Sequence, residues 1–553
     1  MRPMKKLHVF LPCLFVVSAA LALAQQSAAP VDPLAPTRES KSAAQIDREW
    51  QQSVAKYDAE RNRLLAVEEK QENDGPYRAD WATLVKYQQP QWYKDAKLGI
   101  FIHWGVFAVP GAENEWYPRN MYRTGDGAYK DFQKRFASTD PAHKDEKGYK
   151  DLIPLLTASR FNAQEWVALF KEAGAQYVVP VAEHHDGFSM YDSGLSDWTE
   201  VKMGPKRDTL AALAAEIRAQ GLHFCLSSHR AEHDWFFDGG RTIRSDVNDP
   251  KYASLYGPAH ERINEQQELM QDDWTYLSPE FARDWLARAT ELVEKYKPEL
   301  VYFDWWAGQP NYRPAITKFA AFYYNFAQAH GYTGVINIKD NDLNWKAGAR
   351  DFERGNQDKI LEDHWQTDTT LNNTGWGYIE NDTYKPAGEV IRQLADIVSK
   401  NGNLLLNIGP RPDGSIPEGA VQSLRALGAW LRINGEAIYA TTPWITYGEG
   451  PTQVKAGKFT EEGNKPYTAE DFRFTARGKV VYAIGMACPK DGRIAIHSLG
   501  WAHEGAALPV GNVELLGSSE KLTWTQAADA LQLTLPASFT CKDAYALRLT
   551  PAK

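Results

Sequence analysis

Cysteine is scarce in this chain: four occur in 553 residues. Cys13 lies inside an apolar N-terminal run, which leaves Cys225, Cys488 and Cys541. Three cysteines build no disulfide framework. Cys488 and Cys541 lie together in the C-terminal segment and either pair in an oxidising compartment or stay as buried thiols. Long runs of Lys or Arg are missing and the formal net charge is -9, which argues against nucleic acid as the main partner and gives no polybasic surface for a membrane. No second hydrophobic span follows the N-terminal one. Also missing are the Gly-x-Ser-x-Gly elbow, the Gly-x-x-x-x-Gly-Lys phosphate loop and a dinucleotide fingerprint between strand and helix. Serine hydrolase, nucleotide-dependent and dehydrogenase chemistries therefore fall away, and no cofactor is expected. His-Glu-x-x-His and Cys-x-x-Cys spacings are absent too, so the expectation is of no metal.

What is present is an ordinary globular composition, 43% apolar and 24% charged, in a chain long enough for more than one domain. The 19 Trp and 26 Tyr suit either a large core or the apolar faces of sugars. Arg2, Lys5 and Lys6 precede the apolar run Leu7 to Leu23, which closes on Ala22-Leu23-Ala24 before Gln25; residues 1–24 read as a signal peptide of an exported, periplasmic or secreted protein. Residues 25–75 form a leader rich in Ala, Ser and Pro, then a charged, helix-favouring stretch from Ser42 to about Glu72 that reads as an N-terminal appendage.

From 76 to 442 short apolar runs alternate with amphipathic stretches. Strands are expected at Lys97 to His103, Tyr177 to Ala182, Leu222 to Ser227, Leu300 to Phe303 and Gly334 to Ile338. Helices are expected at Trp166 to Glu172, Leu210 to Ala219, Ala282 to Tyr296 and Ile316 to His330. So many strand–helix units in one block favour an α/β fold of the TIM-like (β/α) barrel type. After Pro443, alternating strands with Gly-rich turns, such as Phe472-Arg-Phe-Thr and Leu531-Gln-Leu-Thr-Leu, predict a C-terminal antiparallel β-sandwich over 443–553.

Chemistry concentrates where the expected strands stop, which is where barrel enzymes keep it. Gln176-Tyr-Val-Val-Pro-Val-Ala-Glu ends on His184-His185-Asp186-Gly187. Adjacent side chains on a strand point to opposite faces, so a loop rising over a cleft is needed to present both imidazoles to one ligand, a metal or a polar small molecule. Asp304 closes Leu-Val-Tyr-Phe before Trp305-Trp306, and His103 closes Gly-Ile-Phe-Ile, with Glu115 and Trp116 a loop's length away. A carboxylate delivered from a rigid strand can act as nucleophile or base, although Asp before a helix is also a common cap. His103, His184, His185 and His229 with Asp186 could in principle surround zinc, without its usual spacing. A cleft rich in His, Trp, Asp and Glu suits glycoside hydrolysis by two carboxylates.

The blocks Lys97-Leu-Gly-Ile-Phe-Ile-His-Trp-Gly105, Asn114-Glu-Trp-Tyr117, His184-His-Asp-Gly-Phe188, Tyr302-Phe-Asp304, Trp376-Gly-Tyr378, Gly402-Asn-Leu-Leu-Leu-Asn-Ile-Gly-Pro410 and Asn434-Gly-Glu-Ala-Ile-Tyr439 resemble, in order, the α-L-fucosidases of glycoside hydrolase family 29. The resemblance implies a barrel followed by a β-sandwich and a retaining exo-glycosidase that releases terminal α-L-fucosyl residues from oligosaccharides or other glycans. It implies Asp304 as nucleophile and His103, His184, His185, Glu115, Trp116 and Trp376 as substrate-binding residues. The acid/base departs from the clearest family pattern: Glu353 is the best match, with Asp351, Asp358 and Glu362 as alternatives. At Ser227-Ser228-His229-Arg230 many relatives carry tyrosines; His229 either contacts a substrate hydroxyl or braces Glu232 and Asp234. Linkage is expected to be read by variable loops such as 119–150 and 241–276. Two other readings use the same residues, a non-catalytic fucose-binding protein on this fold and a metal-dependent hydrolase.

Overall fold

In the computed structural model, residues 32–262, 275–339, 342–463, 465–503 and 508–552 are described; the expected signal peptide lies outside them. The apolar strands are β1 Leu98–Ile102, β2 Tyr177–Glu183, β3 His223–Phe224, β4 Leu226–Ser228, β5 Leu300–Phe303, β6 Val335–Ile338, β7 Ala349–Asp351, β8 Trp365–Thr370 and β9 Gly402–Ile408. All pair in parallel, in the order β1-β9-β8-β7-β6-β5-β4-β2-β3. Pairing of β1 with β2, Phe101 beside Val179, closes the sheet. The expected strand Leu222 to Ser227 is broken at Cys225 into β3 and β4, which form one stave, so the closed barrel has eight. Parallel strands need helical crossovers, and these cover the outside of the barrel and leave the strands buried on both faces.

The barrel interior is filled below the site by Phe101, Tyr177, Val179, Val181, Cys225, Leu300, Tyr302, Val335, Ala349 and Leu405. The polar groups among them are satisfied: Tyr93 and Tyr177 hydroxyls both donate to Gln366 Oε1, at 3.0 and 2.8 Å. Buried hydroxyls left unpaired would cost stability.

The N-terminal helices Ala43–Val54 and Asp58–Asp74 are not an appendage, as their charge suggested. The second packs across helices Pro279–Tyr296 and Arg313–Ala329 and buries Leu64 completely. Arg61 reaches the buried Asp284 through Nε and Nη2, at 3.0 and 2.9 Å. One narrow apolar seam and one buried ion pair, Arg61 with Asp284, anchor a helix that is polar elsewhere, a pattern a composition-based reading misses.

Beyond the barrel come β10 Thr442–Glu449, β11 Phe472–Arg477, β12 Val480–Gly485, β13 Arg493–Ile496, β14 Val510–Leu515, β15 Thr523–Gln526, β16 Leu531–Thr534 and β17 Tyr545–Pro551. They form a five-stranded antiparallel sheet, β10-β11-β12-β17-β14, and a three-stranded one, β13-β16-β15. The two share a core of Phe472, Phe474, Val481, Ile494, Ile496, Leu531, Leu533 and Leu547. Cys488 and Cys541 are joined within this unit, and Cys225 is free and buried. Arg473 is buried against the barrel, its Nε 2.6 Å from Asp396 Oδ1, and Lys400 Nζ meets the other oxygen at 2.6 Å.

Candidate active site

Six of the eight staves end by delivering one of the expected side chains to the same end of the barrel: His103 after β1, His184 and His185 after β2, His229 after β4, Asp304 after β5, Glu353 after β7 and Trp376 beyond β8. With Glu115 and Trp116 from the loop after β1, these nine residues line one cavity of about 270 Å³. Of the alternatives to Glu353, Asp351 is buried in the barrel, where its Oδ2 accepts from Gln366 Nε2 at 2.6 Å, and Asp358 and Glu362 are exposed. None of the three lines the cavity.

Both histidines of the pair reach the cavity because β2 stops at Glu183 and strand alternation stops with it. Glu183 turns away to Arg230 and Arg288, at 2.5 and 3.1 Å. Gly187 then closes the turn at φ +74°, its N–H donating to the His184 carbonyl at 3.0 Å. A Cβ there would stand 2.4 Å from the His233 ring as well as in a left-handed conformation. The two imidazoles end with ring centroids 4.2 Å apart, and His229 stacks on His184 at 4.9 Å.

The pair is electrostatically divided. Burial, with His185 and His229 as neighbours, pushes His184 well below the usual imidazole range. Burial also disfavours the His185 cation and is the largest single effect, but the hydrogen bond and charge of Glu232, with the Asp304 charge and the His229 carbonyl, together outweigh it and raise this pKa. His185 Nδ1 lies 3.3 Å from Glu232 Oε2 and its Nε2 3.5 Å from Asp304 Oδ2. His103 is depressed by burial and by His229. Its Nδ1 sits 2.8 Å from Asn407 Oδ1, an atom that can only accept, so the ring is a neutral donor there. Glu115 Oε2 accepts from the Trp376 N–H at 2.9 Å, tying two loops together, and burial raises its carboxyl pKa.

His229 does neither thing expected of a brace. Its Nδ1 lies 3.2 Å from Asp304 Oδ2 and its Nε2 3.2 Å from Ser227 Oγ. Glu232 is engaged by His185 and the Trp306 N–H, and Asp234 by His260.

The residue that sequence reading missed is Lys339, one position beyond β6. Its buried ammonium donates to Asp304 Oδ1 at 2.8 Å and to Glu353 Oε2 at 2.7 Å, with Asp368 Oδ2 at 3.9 Å. The two carboxylate oxygens are therefore no farther apart than the sum of those distances, 5.5 Å. The strand-end rule that found Asp304 also reaches Lys339. What hid it was that a single Lys has no motif around it. Also on the cavity wall and unanticipated are Tyr302, whose hydroxyl donates to Asp368 at 2.8 Å, and Trp305, Lys458 and Phe459.

The two carboxyls are tuned in opposite directions. Burial would raise both. At Asp304, Lys339, His229 and His185 outweigh it and hold the group well below the carboxylate range. At Glu353 burial dominates; Lys339 opposes it, Asp368 and Asp304 add to it, and the pKa is pushed up to about 7. One carboxyl ionised and one titrating near neutrality, and so able to give and take a proton, is the division of labour that acid-assisted nucleophilic displacement needs.

The imidazoles also form two clusters that offer three ligand atoms within 4.8 Å of one another, His103–His184–His229 and His185–His229–Asp304. The second fits a cation poorly, because the Lys339 ammonium already sits 2.8 Å from the other oxygen of the Asp304 carboxylate and would repel it.

The α-L-fucosidase family profile matches residues 64–436 and that of the α-L-fucosidase C-terminal domain matches 464–550. The chain belongs to the α-L-fucosidase family. Plasma α-L-fucosidase of Homo sapiens is 31% identical over 488 residues, covering 85% of this chain and 91% of that protein. Tissue α-L-fucosidase of Rattus norvegicus is 30% identical, covering 86% and 92%. The crystal structure of Thermotoga maritima α-fucosidase in complex with fucose superposes with a TM-score of 0.67 at 27% identity, covering 86% of this chain and all of that one. The barrel followed by antiparallel sheets is shared with these fucosidases, and hydrolysis of fucosyl residues is the function of the family. Among the described residues no helix is long and apolar enough to cross a membrane.

Proposed function

We propose that this fucosidase hydrolyses terminal α-L-fucosides of oligosaccharides or glycoconjugates with retention, Asp304 acting as nucleophile and Glu353 as acid/base. The observation that carries the assignment is the Lys339 bridge: two carboxyls whose bridged oxygens lie no more than 5.5 Å apart, one held ionised and one with a pKa pushed up to about 7. Retaining glycosidases use carboxyls about 5–5.5 Å apart, and inverting ones need a wider gap for water. Asp304 Oδ attacks the anomeric carbon while Glu353 gives its proton to the departing glycosidic oxygen. Water then attacks the fucosyl-enzyme ester, Glu353 takes its proton, and L-fucose leaves with Asp304 restored.

The neutral imidazoles of His103 and His184 and the Glu115 carboxyl suit the sugar hydroxyls, and Trp116 and Trp376 suit its apolar face. His185 and His229 suit a double task, lining the pocket and holding Asp304 ionised. The catalytic unit is assigned to 76–442 and the sandwich to 443–553. Export with removal of residues 1–24 is assigned from the N-terminal pattern, and the Cys488–Cys541 bridge fits an oxidising compartment.

The test is Asp304→Gly: turnover of an aryl α-L-fucoside nearly vanishes, azide or formate restores part of the rate, and fucose binding persists. Full activity in this variant overturns the assignment, and release of β-L-fucose as the first-formed anomer overturns retention. Binding without release of any aglycone by the unaltered protein would favour the non-catalytic reading.

A further inference from the structure

The chain between β10 and β11 returns to the mouth of the barrel and clasps the Glu353 loop. Gly457 and Asn356 exchange backbone hydrogen bonds at 3.1 and 2.9 Å. The Phe459 N–H donates to the Glu353 carbonyl at 2.8 Å, and the Glu461 N–H to that of Arg354 at 3.0 Å. Glu461 secures the clasp. Its Oε1 takes Arg354 Nε at 2.6 Å and Lys385 Nζ at 3.0 Å, and its Oε2 takes Thr369 Oγ1 at 2.5 Å and Gln393 Nε2 at 3.1 Å.

So firm a fastening holds an unfavourable residue. Phe459 sits at φ +52°, a left-handed conformation that bulky side chains avoid. The residue is 50% exposed, although burying its apolar side chain would be favourable. Among the described residues it is the one exposed large apolar side chain that also lines the catalytic cavity. An aromatic held under backbone strain, half in water at the rim of a sugar pocket, has a reason to be there if a ligand covers it.

The position says which part of the ligand. On the reading that Glu353 is the acid/base, its carboxyl stands at the glycosidic oxygen, so what lies beyond it toward solvent meets the leaving group. Phe459 is backbone-bonded to Glu353 itself. The segment of the clasp that carries Phe459 also falls between the two family matches, 64–436 and 464–550. We propose that Phe459 is the platform of an aglycone subsite, stacking on the apolar face of the pyranose ring to which fucose is attached. This inference rests on the function proposed above. It adds a third determinant of linkage to the loops at 119–150 and 241–276.

The experiment compares Phe459→Ala and Phe459→Trp with the unaltered enzyme on two substrate classes. One is α-L-fucosyl fluoride, whose leaving group has no ring; the other is a panel of α1,2, α1,3, α1,4 and α1,6 fucosyl disaccharides. The readout is the ratio of kcat/KM on each disaccharide to that on the fluoride. Phe459→Ala is expected to lower this ratio about tenfold for the preferred linkage, the scale of one lost ring-stacking contact with its burial, and Phe459→Trp to keep it. An unchanged ratio in Phe459→Ala, including an equal fall on both substrates, would mean that the clasp serves only to hold Glu353, and overturns the subsite. An unaltered enzyme inactive on the fluoride would refute the proposed function and the subsite with it; activity there with an unchanged ratio refutes the subsite alone.

Discussion

Replacing Lys339 by Met keeps an unbranched side chain one atom shorter and removes the charge that couples the two carboxyls. In the folded protein the ammonium stands 2.8 Å from Asp304 and 2.7 Å from Glu353. A unit-charge pair at about 4 Å between charge centres is worth about 4 kcal/mol at an effective dielectric near 20, or about three pKa units. His185 and His229 remain beside Asp304 and recover part of that, so about one to two units is the net expectation. The sign is the same for both groups. A cation lowers a neighbouring carboxyl pKa, so its loss raises both.

The rate profile should therefore move as a whole. In the unaltered enzyme the acidic limb of kcat/KM reports ionisation of Asp304, and the alkaline limb reports loss of the Glu353 proton near pH 7. Above the Glu353 value, activity falls about tenfold per pH unit. In Lys339→Met both limbs shift upward, and above pH 7 the variant keeps a larger share of its own maximal rate, because Glu353 holds its proton about one to two units higher. The assay is hydrolysis of an aryl α-L-fucoside across about pH 4 to 9, with thermal unfolding of the variant measured in parallel. A uniform loss of activity with both limbs in place would refute the electrostatic role and leave Lys339 a space-filler. A downward shift would refute the sign of the coupling.

Three further outcomes follow from the same geometry. His184→Phe should raise KM for the glycone with a modest change in kcat. His185→Phe should lower kcat as well, because His185 also faces Asp304 and Glu232 favours its cation; equal effects at the two positions, measured by steady-state kinetics, would contradict this division. Dialysis against a strong chelator should leave the activity of a two-carboxylate glycosidase intact, and loss restored by zinc would revive the imidazole clusters as a metal site. Leu64→Ala, in the fully buried seam of the second N-terminal helix, should cost about 2–5 kcal/mol in denaturant unfolding; a loss below about 0.5 kcal/mol would return that helix to the status of an appendage.

Much of the fold was legible because strand ends and helix faces are written locally. Leu300–Phe303 was expected and found with the same limits, and helix Arg313–Ala329 differs from expectation by a few residues at its start. Local patterns stop being informative where tertiary contacts decide. The break at Cys225 arises where β2 pairs first with β3 and then with β4, in a register that shifts between Val181 and Glu183. The second N-terminal helix reads as polar because only the partner helices reveal which side chains it buries.

The site divides in the same way. His184, His185 and Asp304 were visible because each ends an apolar run, and a run of apolar residues that stops on charge is a signal carried by a few neighbours in sequence. Lys339 obeys that rule but has meaning only beside Asp304 and Glu353, 35 and 14 positions away. Phe459 is farther still from recognition. It lies more than a hundred residues past Glu353, between β10 and β11 in the part of the chain read as the C-terminal sandwich, and only the pairing of Gly457 with Asn356 brings it to the cavity. Residues that hold the fucose ring come from strand ends, where the barrel fixes them, and so recur in readable blocks. A residue that meets the departing sugar has no such constraint and can be supplied by whatever chain crosses the mouth. Recognition of the glycone is for that reason legible in one dimension, and recognition of the aglycone emerges only when the chain has folded.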